Sequence, residues 1–557
     1  MTSPATYSPP MFDAEVDLDL SRNEGRTRAA ELLASVGDPD RAISRYPDIS
    51  GVRAQLAALH GLEPDQILVT AGGDDALNRC FLALVRSDRQ AVTTYPTFEM
   101  IPRYAEQRGV ELVEVPWWSG PLPIETLVGA AASDVDAVFV VSPNNPTGSA
   151  LSTSDLRKLA GAFPFVILDA AYVEFADEDL TSTALALSNV VVIRTLSKAY
   201  GLAGLRVGYL LGHPETVSRI GAYGSPYPVS ALSASIAEER LRWPESATEQ
   251  FVAEIRGERD ELSGILAELG TRPVASQANF ILTQCDDADW MMDGTRSLGV
   301  ALRRFGRRPG LEEMVRITLP GDRADFDRLV ATLGAVLAPQ ALIFDLDGVL
   351  ADVSQSQTAS IIETAKSYGV TLGAADVELA KSDGNANDDW ELTRRLCGQH
   401  GVDADLAELT DRYELLYQGE EGIAGLKQQE RALVDPDSWA RWARRLPLAV
   451  VTGRPRRDAE EFLARFGLSD DLRVLVTKDD APLKPDPAPV RLALELLGVS
   501  RAWMVGDTRD DLQAARAAGV VPIGVVAPGD DPDRARQTLR VAARVFDQTT
   551  DLEGLLP

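Results

Sequence analysis

Residues 194 to 206 read RTLSKAYGLAGLR, and the four residues before them, Val190 to Ile193, form the unbroken apolar run VVVI. Such a run predicts a buried strand. The strand feeds a hydroxyl-rich turn, Thr195-Leu-Ser-Lys198, followed by small residues and glycines up to Arg206. A lysine at the end of a buried strand is costly unless it is paired or used. One use removes its charge: a Schiff base with pyridoxal phosphate (PLP), which makes a covalent electron sink. Thr195, Ser197 and Arg206 then stand ready for the phosphate of that cofactor.

Outward from this stretch, short apolar segments alternate with helical patterns. Strands are expected at Ile67 to Thr70, Ala91 to Tyr95, Glu111 to Val115, Ala137 to Ser142, Phe165 to Ala170, Val190 to Thr195 and Val207 to Gly212. The alternation predicts an α/β domain with a mainly parallel sheet, its site at the strand ends. Residues 1–45 read as an N-terminal arm with a turn at Leu20 to Gly25 and helical periodicity from Arg26 to Val36. Residues 46–227 make the large domain. Residues 228–338 change character: a long helical stretch from Val229 to Leu269, two apolar strands and a closing helix through Phe326 to Leu337 predict a smaller α+β domain. After the short connection Ala338-Pro-Gln340 a fresh strand begins, with no Gly/Ser linker between.

The strand-end turns carry chemistry in a consistent order. Gly72 to Ala76 (GGDDA) opens a helix whose N-terminus suits a phosphate. In YPTFEM, Phe98 can stack on a flat ring. PNNPTG presents Asn145, and DAAY offers the Asp169 carboxylate with Tyr172 three residues on. A carboxylate beside a pyridine nitrogen keeps it protonated.

With NEG, RYPD, ANF and VRIT, this set resembles fold-type I PLP aminotransferases, within them the histidinol-phosphate aminotransferase group, over residues 1 to about 338. The resemblance implies that Lys198 carries the Schiff base and shuttles the proton. It implies that Asp169 pairs with the pyridine nitrogen, that Asn145 and Tyr172 bond the ring hydroxyl, and that Phe98 stacks. Gly73, Asp74, Thr195, Ser197 and Arg206 would hold the phosphate. Tyr46 would reach the partner subunit's site, which implies a homodimer. Arg316 would take the donor carboxylate, and Arg303 would join it on a substrate phosphate. Phe98 stands where tyrosine is usual, Ala170 where glutamate is usual, and GGDD replaces Gly-Ala-Asp-Glu. The scaffold also serves aromatic transaminases and a phosphothreonine decarboxylase, so the substrate stays open.

From residue 341 the pattern restarts. ALIFDLDGVL ends a strand at Asp345, with Asp347 two residues on. Paired carboxylates at that spacing divide labour between nucleophile and proton donor, and their joint charge calls for a cation. LAVVTGRP ends a strand at Thr452. LKPDP isolates Lys484 among prolines. AWMVGDTRDD brings Asp507 and Asp511. The four motifs resemble the phosphatase branch of the haloacid-dehalogenase superfamily. That implies a Rossmann-like core at 341–351 and 447–557 and a helical cap at 352–446 that excludes water. It implies an aspartyl-phosphate on Asp345, with Asp347 as general acid/base. Thr452, Gly453 and Lys484 would hold the phosphoryl group. Mg²⁺ would sit on Asp345, the Asp347 carbonyl and Asp507, supported by Asp511. KSDGNANDDW (Lys381 to Trp390) is expected to be the specificity loop of the cap.

The net charge of −29 argues against nucleic acid or an anionic membrane as partner. An anionic substrate then needs local cations, and Lys198 and Lys484 are two of only seven lysines. No apolar run approaches the ~20 residues of a membrane helix, and no signal pattern opens the chain. Cys80, Cys285 and Cys397 are too scattered for a metal site or disulfide framework, so a cytoplasmic protein is expected. The economical expectation is a bifunctional enzyme. It would transaminate a phosphorylated ketone with the glutamate/2-oxoglutarate couple, as in histidine synthesis, and then hydrolyse the phosphate ester. A different phosphorylated ketone in specialised metabolism is the alternative. A PLP-fold ligand-sensing regulator would need a basic DNA-binding module ahead of the domain, and the acidic arm does not supply one.

Overall fold

Val190–Thr195 is a strand, and each of its residues is buried. The computed structural model describes residues 16–132, 134–306, 308–382, 384, 388–420 and 422–556. It divides into two units, one built on Asp19–Ala288 and Leu302–Asp327, the other on Asp289–Ala301 and Arg328–Pro557.

The first unit holds a seven-stranded sheet of β1 (Ile67–Thr70), β2 (Gln90–Tyr95), β3 (Glu111–Pro116), β4 (Val135–Val141), β5 (Phe165–Asp169), β6 (Val190–Thr195) and β7 (Gly208–Leu211). Their order is β1-β7-β6-β5-β4-β2-β3. Only β7 runs antiparallel to its neighbours; the others pair in parallel. Both faces are covered. Along β6, Val190 and Val192 enter one apolar cluster and Val191 and Ile193 the other. That is the two-residue period of a strand buried on both sides, and it is why the run is apolar throughout.

A second, antiparallel sheet comprises β8 (Arg272–Pro273), β9 (Phe280–Gln284), β10 (Arg303–Arg304) and β11 (Met314–Thr318), ordered β10-β11-β9-β8. The long helical stretch expected over Val229 to Leu269 is two helices, Ala231–Arg242 and Glu245–Glu268. Pro244 causes the break. It lacks an N–H and turns Trp243 out of the helical region, to ψ 150°. Near the N-terminus only Ala29–Ala34 of the periodic stretch is helical. A further helix, Pro39–Ser44, escaped the sequence reading although Asp38 caps it and Pro39 starts it. Residues 1–15 of the expected arm lie outside the described residues.

The second unit is centred on a six-stranded parallel sheet of β12 (Ala341–Phe344), β13 (Leu448–Val451), β14 (Leu472–Val476), β15 (Ala502–Gly506), β16 (Val521–Val525) and β17 (Arg544–Phe546), ordered β14-β13-β12-β15-β16-β17. Leu342 and Phe344 of β12 face one apolar cluster, Ala341 and Ile343 the other. Between β12 and β13 the chain makes helices Gln357–Ser367, Ala374–Ser382, Asp389–Gln399 and Leu406–Gln418. They have an apolar cluster of their own around Ile361, Leu392, Leu396 and Tyr413. Helix Pro436–Arg445 instead buries Trp439 and Trp442 against Phe344. No helix among the described residues is long and apolar enough to cross a membrane.

Candidate active sites

Val141, Asp169 and Ile193 are register neighbours across β4, β5 and β6. The turns after them therefore bring Asn145, Tyr172 and Lys198 around one opening, a cavity of about 430 Å³. Asp169 is 5% exposed, and burial pushes its carboxyl up to about 7 against the pull of the Ala171 N–H. Lys198 donates to the Arg22 carbonyl at 3.2 Å. Burial, and then nearby Arg316, pushes its ammonium down to about 8. The Thr195 hydroxyl donates to the Ser197 hydroxyl at 2.9 Å. Arg206 pairs with Asp74 at 3.0 Å, beside the helix N-terminus at Gly72–Leu84. Gly72 has φ +83°, and a Cβ there would stand 2.7 Å from the Arg206 guanidinium, so glycine lets the cation lie against the helix start.

Gly73, Phe98, Asn145, Tyr172, Arg303 and Arg316 line the same cavity. Arg316 donates to Asn145 Oδ1 at 2.5 Å and to the Ser21 carbonyl at 2.8 Å. Tyr172 accepts from the Asn23 amide at 3.1 Å. Arg303 is the register partner of Arg316, yet its guanidinium turns to Glu99 at 3.3 Å, and Arg308 meets the same carboxylate at 2.6 Å. Residues 22–26 press against the lysine turn. A Cβ on Gly25 would sit 1.7 Å from the Lys198 carbonyl oxygen, and one on Gly201 would sit 2.2 Å from that of Arg26. Tyr46 is not in the cavity; it is 80% exposed and stacks on Tyr227 at 4.4 Å. A carboxyl and an amine both held toward neutrality, next to hydroxyls, a guanidinium and a helix N-terminus, fit PLP. Its ring nitrogen would supply the cation Asp169 lacks, and a neutral amine is the form that takes an aldehyde.

In the second unit Asp345 follows β12, its N–H bonded to the Val505 carbonyl. Lys484 Nζ lies 2.5 Å from an oxygen of Asp345 and 2.5 Å from one of Asp511. Burial pushes the Asp345 carboxyl up to about 7 despite Lys484. Burial, then Asp511 and Asp345, drive the Asp507 carboxyl well above the usual range. Oxygens of Asp345, Asp507 and Asp511 all lie within 4.8 Å of one another. Asp507 Oδ1 is buried and has no hydrogen-bond partner among the described residues. Three crowded carboxylates with a stranded oxygen fit a divalent cation. Gly348 keeps the space open: a Cβ there would stand 2.1 Å from Asp507 Oδ2. The Asp347 carboxylate turns elsewhere, to Arg454, at 2.7 Å from Nε and 2.5 Å from the outer nitrogen. That leaves its main-chain carbonyl for a metal. The Thr452 hydroxyl accepts the main-chain N–H of Arg454 at 3.1 Å. Asp345, Asp347, Gly453 and Asp507 line a cavity of about 70 Å³.

Residues 22–333 match the family model of aminotransferase class I and II, more than half of the chain. The chain belongs to that family. Residues 339–519 match the haloacid dehalogenase-like hydrolase family. The aminotransferase part is 36% identical over 332 residues to the histidinol-phosphate aminotransferase of Xanthomonas euvesicatoria pv. vesicatoria, covering 57% of this chain and 90% of that protein. It is 32% identical to histidinol-phosphate aminotransferase 1 of Nostoc sp., over 56% of this chain and 89% of the relative. Its fold matches the crystal structure of the Sinorhizobium meliloti histidinol-phosphate aminotransferase in complex with pyridoxal-5'-phosphate, with TM-score 0.53 and 25% identity over 58% of this chain and 91% of that one.

In the aminotransferase part, Glu99 and Arg308 went unread in the sequence, though Glu99 directly follows Phe98. Asn23, inside the NEG turn, has φ +55°, a conformation asparagine tolerates. In the hydrolase part Arg454 went unread although it stands within TGRP. Lys381 also belongs to that site: burial works against its charge, but Asp389, Asp507, Asp347 and Asp530 outweigh it and raise its pKa. Residues 383 and 385–387 of the expected cap loop lie outside the described residues.

Proposed function

We propose that the chain is a bifunctional enzyme that transaminates a phosphorylated ketone with the glutamate/2-oxoglutarate couple and hydrolyses the resulting phosphate ester. Imidazole-acetol phosphate, histidinol phosphate and histidinol are the favoured series. The work divides as the sequence suggests, with 46–227 and 228–338 for the first step and 341–351 with 447–557 under a cap from 352–446 for the second, except that helix Pro436–Arg445 packs with the core. The observation that carries the reading is the cavity shared by Lys198, Asp169 and three arginines, Arg303, Arg308 and Arg316. It pairs proton-transfer groups with the cations that a doubly anionic phosphate needs.

PLP, when bound, supplies the electron sink. Lys198 Nζ takes the proton from the substrate α-carbon and returns it one position away. Asp169 keeps the ring nitrogen protonated, and Arg316 orients the donor carboxylate. Tyr46 and Tyr227 form an exposed aromatic pair of the kind a partner subunit covers, which supports a homodimer.

In the second unit a divalent cation, Mg²⁺ by family habit, supplies charge neutralisation. An Asp345 oxygen attacks phosphorus and the bond to the leaving oxygen breaks. That oxygen takes a proton from Asp347 and departs as the alcohol. Water then attacks the same phosphorus and Asp347 accepts its proton. The bond to Asp345 breaks, and inorganic phosphate leaves.

The test is a coupled assay on purified protein with PLP and Mg²⁺. Histidinol phosphate and 2-oxoglutarate are supplied, and glutamate and phosphate are followed separately. Formation of both supports the reading; phosphate alone removes the transaminase half. A different phosphorylated ketone is a second reading, favoured by Glu99, whose carboxylate occupies two of the arginines.

A further inference from the structure

Arg454 has five N–H donors, and the structure accounts for all of them. Nε and one outer N–H go to the same oxygen of Asp347. The three remaining N–H groups, on the two outer nitrogens, grip Glu430 at 3.1 and 3.2 Å and reach the Tyr417 hydroxyl at 3.1 Å. Tyr417 in turn donates to Glu430 at 2.8 Å, and Ser356 donates to it at 3.0 Å. Arg454, Glu430 and Ser356 are 4%, 5% and 0% exposed. The network joins two regions. Arg454 follows β13 of the core, whereas Tyr417 lies on helix Leu406–Gln418 and Glu430 just before the short strand Arg431–Ala432.

A buried cation needs one carboxylate for neutrality; this one has two. Glu430 already satisfies Arg454, so the contact to Asp347 is not required for charge balance. It does fix the Asp347 carboxylate, which the Gln357 side chain also holds by a hydrogen bond. Both guanidinium contacts fall on Oδ1; burial works against the charge, but Arg454 and then Gln357 outweigh it and hold the carboxyl below its ordinary range, so what the guanidinium supplies is position.

We propose that Arg454 is the positioning residue for Asp347: its guanidinium, locked by Tyr417 and Glu430, holds the Asp347 carboxyl where it meets the leaving oxygen, so that proton transfer requires the cap segment to be docked on the core. The proposal rests on the phosphatase reading above. Arg454 lines the same cavity as Asp345 and Asp347, and the role assigned to its guanidinium is exercised through Asp347.

The test compares phenyl phosphate with p-nitrophenyl phosphate, esters of similar shape whose leaving oxygens differ in their need for a proton. Both are assayed with Mg²⁺ on the full chain. Asp347→Asn sets the scale, since general acid catalysis is worth about 10²–10⁴-fold. Arg454→Gln is expected to lose about tenfold to a hundredfold in kcat on phenyl phosphate and only a few-fold on p-nitrophenyl phosphate, with KM nearly unchanged. Tyr417→Phe, which removes one hydroxyl, is expected to shift the ratio in the same direction by a few-fold and carries the test if Arg454→Gln does not fold. Equal losses on both esters, or a faster phenyl phosphate rate, overturn the proposal. A wild-type chain that hydrolyses neither ester overturns the phosphatase reading and this assignment with it.

Discussion

Lys484 Nζ lies 2.5 Å from Asp345 Oδ1, with the two residues 3% and 5% exposed. A pair so buried is worth little against an apolar substitute, but removing one partner strands the other. Lys484→Met is therefore expected to cost about 3 kcal/mol or more, read as a lower denaturant midpoint, and to abolish phosphate release. Asp345→Asn is expected to abolish phosphate release while leaving PLP absorbance and glutamate formation intact. Continued hydrolysis in Asp345→Asn would remove it as the nucleophile.

The crowded set Asp345, Asp507 and Asp511 predicts that Mg²⁺ stabilises the second unit. Saturating metal at 100-fold over its dissociation constant adds about 2.7 kcal/mol, seen as a higher melting temperature. Because burial and mutual repulsion raise the Asp507 carboxyl, protons compete with the metal, and apparent affinity should climb with pH. Asp507→Asn is expected to erase the metal-dependent shift. A shift that survives this substitution would place the cation elsewhere.

Lys198, pushed down to about 8, is a better nucleophile at mild pH than an ordinary lysine. Reloading of PLP into the resolved protein is expected to quicken as pH rises and to level off above about 8. Lys198→Ala should take up the cofactor without the covalent absorbance band. A loading rate that keeps rising in proportion to hydroxide up to pH 10 would contradict the lowered value.

Asp169 works in the opposite sense. Its folded carboxyl, near 7, lies above the ordinary 3.8, so the apo protein holds a proton that the unfolded chain has already released. This contribution is complete below the ordinary value and is lost as pH rises through about 7. Apo wild type is expected to lose stability between pH 4 and 7 relative to Asp169→Asn, by on the order of a few kcal/mol. Bound PLP should cancel most of the difference. Parallel melting curves for the two apo proteins would refute the assignment.

Glu99 holds Arg303 and Arg308, so on the proposed reading a substrate phosphate has to displace a carboxylate. Glu99→Gln is expected to lower KM for a phosphorylated amino donor several-fold, with a smaller change for glutamate. An unchanged or higher KM would mean that the phosphate binds elsewhere.

Local chemistry explains which parts were legible in the sequence. The strands announce themselves as apolar runs because parallel sheets are covered on both faces, and β6 coincides with Val190–Thr195. Asp169 ends a strand, and the turns with Asn145, Lys198, Asp345 and Asp507 follow strands directly, so short stretches of sequence contain them. Glu99 and Arg303 are 204 residues apart and Arg454 and Glu430 24 apart. Such pairs have no period or spacing, and only the folded chain selects them. Pro244 is the reverse case: a visible residue whose local preference outranked the helical periodicity around it.

The strap formed by residues 22–26 has a kinetic consequence. Its glycine meets the Lys198 carbonyl, and Lys198 reaches back to Arg22 across 176 positions. The ribosome makes the strap first, yet it can seat only once β6 and the lysine turn exist. Closing so long a loop comes late, after local contacts have formed. On the proposed reading, competence to bind PLP is thus expected to follow the local structure of the first unit, and in refolding the cofactor signal should trail the appearance of helix.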